Sequence, residues 1–245
     1  MKLILNIIAG VICGILINYF SDVLPISRRL TRPKCKACDR PFTLKDYLFS
    51  YKCSNCGHKK SARTFIVLIS TVVICVLLNY FPFSVFGFLG ALPLLIFMGI
   101  VLTIDIEHRL VLLETSILGF VICLIYGIIL RGLARTLLGA LGGFAIMLLF
   151  YLLGLVFNVV MGKIKNQKIE EVAFGFGDVS MGTVLGLLTG WPSITGALII
   201  AILAFGVFSL LFILGLILTK RYQAFASALP FVPFLILGAV VLFYL

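Results

Sequence analysis

The sequence predicts an all-α polytopic membrane protein, about eight transmembrane helices with one small cytoplasmic loop domain. Three observations predict it: an apolar composition, apolar runs of membrane-crossing length, and basic residues gathered into alternate loops. Of the 245 residues, 62% are hydrophobic, and the mean hydropathy is +1.23. Soluble domains are roughly half apolar, so the excess points to a lipid solvent. A hydrocarbon core of about 30 Å takes roughly 20 helical residues to cross. Such runs recur at 3–20, 64–81, 85–104, 111–130, 136–160, 179–190, 194–219 and 228–245. The sixth is short, and Gly190-Trp191-Pro192-Ser193 after it reads either as a tight turn between two helices or as a kink within one. The first run is too long for the apolar segment of a secretory signal and no small-x-small cleavage site follows it, so it is expected to be retained.

Orientation follows from charge, because loops rich in Lys and Arg stay in the cytoplasm. Eleven basic residues, from Arg28 to Arg63, lie between the first two runs. Alternation from there puts Arg109, then Lys163, Lys165 and Lys168, then Lys220 and Arg221 on the same side. Lys2, Arg131 and Arg135 are left outside, so 17 of the 20 basic residues obey one orientation in the plasma membrane. The net charge of +11 therefore tracks topology and the anionic inner leaflet. Aromatic residues are not interleaved with the basic ones as a single-strand-binding groove requires, which argues for membrane lipids and against nucleic acid as a partner.

Residues 21–63 form the one substantial polar segment. They hold Cys35-x-x-Cys38, fourteen intervening residues, and Cys53-x-x-Cys56. Two such pairs are the ligand pattern of a tetrahedral structural zinc site. Disulfides are the competing reading, and a cytoplasmic loop weakens it because thiols stay reduced there. A segment this short cannot bury a core of its own, so a metal cross-link is the expected source of its order. A complete shell of four thiolates leaves no open position, which assigns the metal to scaffolding. His58 is expected on the solvated rim. Cys13, Cys75 and Cys123 sit inside apolar runs and read as small buried hydrophobes.

Acidic residues are scarce. Asp22, Asp39 and Asp46 fall in the cysteine segment, leaving Asp105, Glu107, Glu114, Glu170, Glu171 and Asp178. Asp105 and Asp178 stand at the ends of apolar runs, where a carboxylate is costly unless paired or hydrated, so they are functional candidates. Each also has a plain structural reading. Asp105 is four residues from Arg109 and could form a helical ion pair; Asp178 could cap its helix. The glycines of Gly175-Phe176-Gly177-Asp178 favour function, since they free the backbone for positive φ and for close approach of a substrate main chain. Two carboxylates sharing one water can hydrolyse a peptide bond, one taking a proton from the water while the other donates to the carbonyl or the leaving nitrogen. They titrate as a pair, so acid and base are not assigned individually.

The paired Cys-x-x-Cys after the first run, Ile104-Asp105-Ile106-Glu107-His108-Arg109 after the third, and Gly175-Phe176-Gly177-Asp178 before the sixth together resemble the type IV prepilin peptidases. These are membrane aspartic proteases of the Gly-x-Gly-Asp kind, and the resemblance covers almost the whole chain. It implies a transmembrane peptidase domain over 64–245, with 1–20 the first helix and 21–63 the zinc-binding loop. It also implies Asp105 and Asp178 as the catalytic pair, supported by Gly175 and Gly177. The implied substrates are prepilins or pseudopilins, cut after a glycine at the cytoplasmic face to remove a basic leader. Many members then N-methylate the new amino terminus with S-adenosylmethionine. Where the family continues its first motif with Ile-Pro-Asn or Ile-Pro-Asp, this chain has Val111-Leu112-Leu113. Where the family has Val-Lys after the second aspartate, Val179 is followed by Ser180. The stretch between the cysteine pairs is also shorter than usual. Glu107, Glu114 and above all Glu170-Glu171 are candidates to meet a basic leader, although the last pair also balances Lys163, Lys165 and Lys168. Two other classes share these features. A proton-coupled transporter would want its carboxylates near the midplane and an inverted repeat. A zinc-loop assembly factor would need the cysteines and not the aspartates.

Overall fold

The computed structural model describes residues 2–35, 37–43, 46–47, 50, 52–59, 61–81, 86–165, 175–219 and 229–244. Each apolar run folds as a helix: α1 (Lys2–Ser27), α2 (Ala62–Tyr80), α3 (Gly87–His108), α4 (Leu113–Arg131), α5 (Leu133–Lys165), α6 (Phe176–Thr189), α7 (Ser193–Leu218) and α8 (Val232–Tyr244). Among the described residues six helices, α1 to α5 and α7, are long and apolar enough to cross a membrane. The chain is a multi-pass membrane protein. α6 has 14 residues and α8 has 13, which at a rise of about 1.5 Å per residue reaches only about 20 Å.

The edges differ from the sequence reading in physically informative ways. α1 runs on to Ser27, past the expected end at 20, and the Ser27 hydroxyl donates to the Val23 carbonyl at 3.0 Å. The Gly190 segment is a turn between two helices, not a kink. α6 stops at Thr189, Gly190 takes φ 70°, a cis Trp191–Pro192 bond follows, and α7 starts at Ser193.

The chain divides into two compact units, Met1–Ile104 and Asp105–Leu245. In the first, α1 packs along α2 through small residues. A Cβ at Gly10 would lie 2.6 Å from the Val72 Cα, and one at Gly14 would lie 2.6 Å from the Thr71 hydroxyl. Asn18 ties the same pair, donating to the Gly14 carbonyl at 3.0 Å and the Thr64 carbonyl at 3.1 Å.

The second unit is built around α6, which packs against α4, α5, α7 and α8 and is buried from Val179 to Thr189 apart from Ser180 and Thr183. In lipid no hydrophobic force drives helices together, so association depends on close packing of small residues. Gly139 and Gly143 on α5 face Gly186 and Gly182 on α6. A Cβ at Gly139 would meet the Gly186 carbonyl oxygen at 2.3 Å, and one at Gly143 would meet that of Gly182 at 2.3 Å. This crossing fixes α6 along its length and thereby the position of its first turn.

Candidate active site and metal centre

Asp105 opens the last turn of α3 and is 5% exposed. The helix ends without a proline. Arg109 turns into the left-handed region at φ 53° while its N–H still closes on the Asp105 carbonyl at 2.9 Å. Residues 109–112 are extended or irregular, and Leu112, buried, caps α4 at φ −79°, ψ 144°. Val111-Leu112-Leu113 thus keeps the break between helices that Pro would otherwise impose. Because Arg109 has left the helix, it does not sit one turn along the face of Asp105. It remains within electrostatic reach of that carboxylate. The hydrogen-bond donor on the carboxylate lies elsewhere: Oδ2 accepts the main-chain N–H of Val232, the first residue of α8, at 3.2 Å.

Asp178 is the third residue of α6, and Gly175 occupies the N-cap position at φ −82°, ψ 158°. The expected capping role is therefore met from inside the helix: the Gly175 N–H donates to Asp178 Oδ2 at 2.9 Å, and the Asp178 N–H donates to the Gly175 carbonyl at 3.0 Å. The expected positive φ is absent at both Gly175 and Gly177. What Gly177 supplies is room. A Cβ there would stand 2.7 Å from the Val111 Cβ, so only glycine lets the head of α6 close on the turn that follows Asp105. The structure brings the two aspartates near enough for their charges to interact.

Both carboxylates thus meet the amino end of a short helix, where main-chain N–H groups and the helix dipole favour negative charge. Glu107 and Glu114 are exposed, with Glu107 beside His108 at 3.8 Å. Glu170 and Glu171 lie outside the described residues. The contribution of Val232 was not foreseen. The one signal was the Pro230 and Pro233 punctuation of a helix start, and a main-chain donor has no side-chain signature.

The four cysteines also converge. The sulfurs of Cys35, Cys38, Cys53 and Cys56 lie within 4.8 Å of one another, placed to bind a metal ion. Both Cys-x-x-Cys segments use one turn. The Cys35 N–H reaches the Arg40 carbonyl and the Asp39 N–H returns to the Cys35 carbonyl, both at 2.9 Å; Cys53, His58 and Gly57 repeat this at 2.9 and 3.0 Å. The fourth residue after each leading cysteine is left-handed, Asp39 at φ 54° and Gly57 at φ 69°. Four sulfurs about 2.3 Å from a tetrahedral zinc stand about 3.8 Å apart. Cys35 to Cys56 is 3.6 Å and Cys38 to Cys53 is 3.8 Å, compatible with that ion. The N–H groups of Cys56 and Asn55 pull the Cys53 thiol down to about 6. The His58 N–H favours the Cys56 thiolate, but desolvation and the three competing sulfurs outweigh it and push that thiol up to about 12. The cluster cannot hold four thiolates without a cation. His58 is exposed and outside the cluster, as expected, while Cys13, Cys75 and Cys123 are buried.

Residues 92–210, from the second turn of α3 into α7, match the Type IV leader peptidase family. No curated protein and no solved structure matches the chain. The matched stretch includes both aspartates, the Gly-x-Gly-Asp turn and the glycine crossing beneath it. Over this stretch the chain is similar to the Type IV leader peptidase family.

Proposed function

We propose that the protein is a membrane aspartic endopeptidase that removes the basic leader of prepilins or pseudopilins at the cytoplasmic face, with Asp105 and Asp178 as its catalytic pair. The observation that carries this reading is that two carboxylates near enough for their charges to interact each accept the N–H of a helix start. One oxygen of each is engaged by the main chain. In this reading the other oxygens face a shared water, which the ionised partner deprotonates as it attacks the scissile carbonyl. The protonated partner donates to that carbonyl and later to the leaving nitrogen. The orientation rests on the distribution of Lys and Arg. A prepilin with a basic leader and an apolar helix would present its scissile bond at the same boundary.

Zinc in the cysteine cluster has a scaffolding role here, since four thiolates fill its shell. Cys35, Cys38, Cys53 and Cys56 would hold it, and its chemistry is to neutralise and cross-link them. Among the described residues no side chain is assigned to S-adenosylmethionine. Transfer of labelled methyl to the cleaved amino terminus would distinguish a dual enzyme from a peptidase alone.

The test uses purified protein and a prepilin bearing its leader. Asp105→Asn and Asp178→Asn are each expected to lower leader removal by about 10²–10⁴-fold while the protein stays folded. Cleavage near the parent rate in either variant rejects the pair. Loss of proton-driven transport with cleavage intact would favour the transporter class.

A further inference from the structure

The head of α8 lies beyond the stretch that matches the family, yet it meets Asp105. The Val232 N–H donates to Asp105 Oδ2 at 3.2 Å across 127 residues of chain, in a buried setting. Asp105 is 5% exposed, Val232 0% and Phe231 4%. A donor held at that depth is fixed by what packs around it, and three contacts do so. Phe205 on α7 sits edge-on against Phe231 and Phe234, with ring centroids 5.1 and 5.4 Å away. Phe208 adds a tilted contact to Phe234 at 5.3 Å. Further along α8, a Cβ at Gly238 would lie 2.2 Å from the Ala197 carbonyl oxygen, so the helix is seated against the α7 backbone with no room to slide.

Resting on the aspartic-peptidase reading, we infer that Val232 is a positioning residue: its main-chain N–H, anchored by the Phe205, Phe231 and Phe234 rings, holds Asp105 in the orientation that reaction requires. The place at which α8 starts fits this role. A helix starting at Val232, beside the carboxylate, brings its N-terminal donors to Asp105, whereas one that started a turn or two earlier would carry its hydrogen-bonded body past it. A hydrogen bond to an ionised group offsets about 1.5–3 kcal/mol, which is roughly a tenfold to hundredfold rate factor if it is fully used in the transition state.

The donor can be removed without touching a side chain that meets substrate. Val232 stands at the first helical position, where the missing N–H and fixed φ of proline are tolerated. Val232→Pro is compared with Val232→Ala, which keeps the N–H, and with an amide-to-ester replacement at Val232, which keeps the side chain and removes only the donor. Asp105→Asn is run alongside. Leader cleavage by the full-length protein in detergent is measured as kcat and KM. The proline and ester forms are expected to lose about tenfold to a hundredfold in kcat with KM within about twofold, while alanine stays within about twofold of the parent. If the ester form cleaves as fast as the parent, or alanine falls as far as proline, the positioning role is overturned. Should the proline form fail to accumulate, the ester form alone decides. Retained cleavage by Asp105→Asn would instead overturn the aspartic reading beneath it, so the two failures are distinguishable.

Discussion

The cysteine cluster and the aspartate pair set the same electrostatic problem and solve it differently. Four sulfurs within 4.8 Å, or two interacting carboxylates, repel one another in their ionised forms. In the cluster the turns are short, two of the four cysteines are buried, and a bound cation would supply the missing charge. In the pair, no cation is needed for convergence: each carboxylate accepts from a helix start, and the packing of α6 and α8 holds those starts in place. A metal-ordered site is local and chemically removable. A packing-ordered site is distributed over residues far from the chemistry, and its weak points are glycines.

The largest contrast should come from removing the charged groups themselves. General acid–base groups contribute about 10²–10⁴-fold, so Asp178→Asn should lower leader cleavage by that order. Cys35→Ser should strip the metal, read by elemental analysis, while cutting cleavage far less. Equal losses from both would mean that the metal takes part in the chemistry and would collapse the distinction. Unchanged metal content would reject the zinc site.

Distributed order is tested at the helix crossing. Gly186→Ala puts a methyl 2.3 Å from the Gly139 carbonyl oxygen, against backbone that cannot turn aside. Overpacking of this kind costs about 1–3 kcal/mol, and thermal unfolding in detergent should fall accordingly. Gly206 has nothing within 4 Å of its would-be Cβ, so Gly206→Ala should leave the transition unmoved or raise it slightly. Equal destabilisation by both would show that the crossing is not what orders the second unit.

These expectations mark how much could be read before the structure. Eight apolar runs became eight helices because lipid leaves the backbone no alternative to internal hydrogen bonding. The knuckles were legible because ligand spacing is itself the geometry. Asp105 and Asp178 were legible as costly charges in an apolar chain. Their supports were not. Gly139, Gly143, Gly182 and Gly186 have the four-residue spacing of close-packed helices, but which glycines face each other depends on the crossing and not on the spacing. Gly175 and Gly177 were read for backbone freedom, whereas Gly177 is needed for space beside Val111. Arg109 ended a helix by taking a left-handed φ that sequence does not favour for arginine. The Val232 donor is main chain, so any residue but proline could have supplied it.

The local character of the cysteine cluster gives a proton-counting experiment. Metal binds thiolates, so a thiol must lose its proton on ligation. Cys53, held at about 6, is already mostly ionised at neutral pH, whereas Cys56, held at about 12, is not. Zinc added to metal-stripped protein at pH 7 should therefore release protons, but fewer than four per ion. Near pH 5 Cys53 is protonated as well, so more protons should be released per ion and affinity should fall. A count independent of pH would contradict the uneven thiols.

The smallest effect is also the sharpest test of the packing-ordered site, because it touches neither aspartate. Gly177→Ala directs a methyl at Val111, 2.7 Å from its Cβ, and must push the head of α6 away from the turn after Asp105. Displacement on the scale of an ångström between reacting groups can cost about a hundredfold, and partial relaxation should leave a loss nearer tenfold in kcat. Val111→Gly removes the Cβ itself, leaving the Val111 N at 3.5 Å in ordinary contact, and should cost less alone. In the double variant the new methyl finds room, so much of the lost rate should return, giving a coupling of about 0.5–3 kcal/mol between two residues that touch. Additive losses would mean that Gly177 acts through something other than its distance from Val111, and the aspartates would then owe their approach to a contact outside the α6 head.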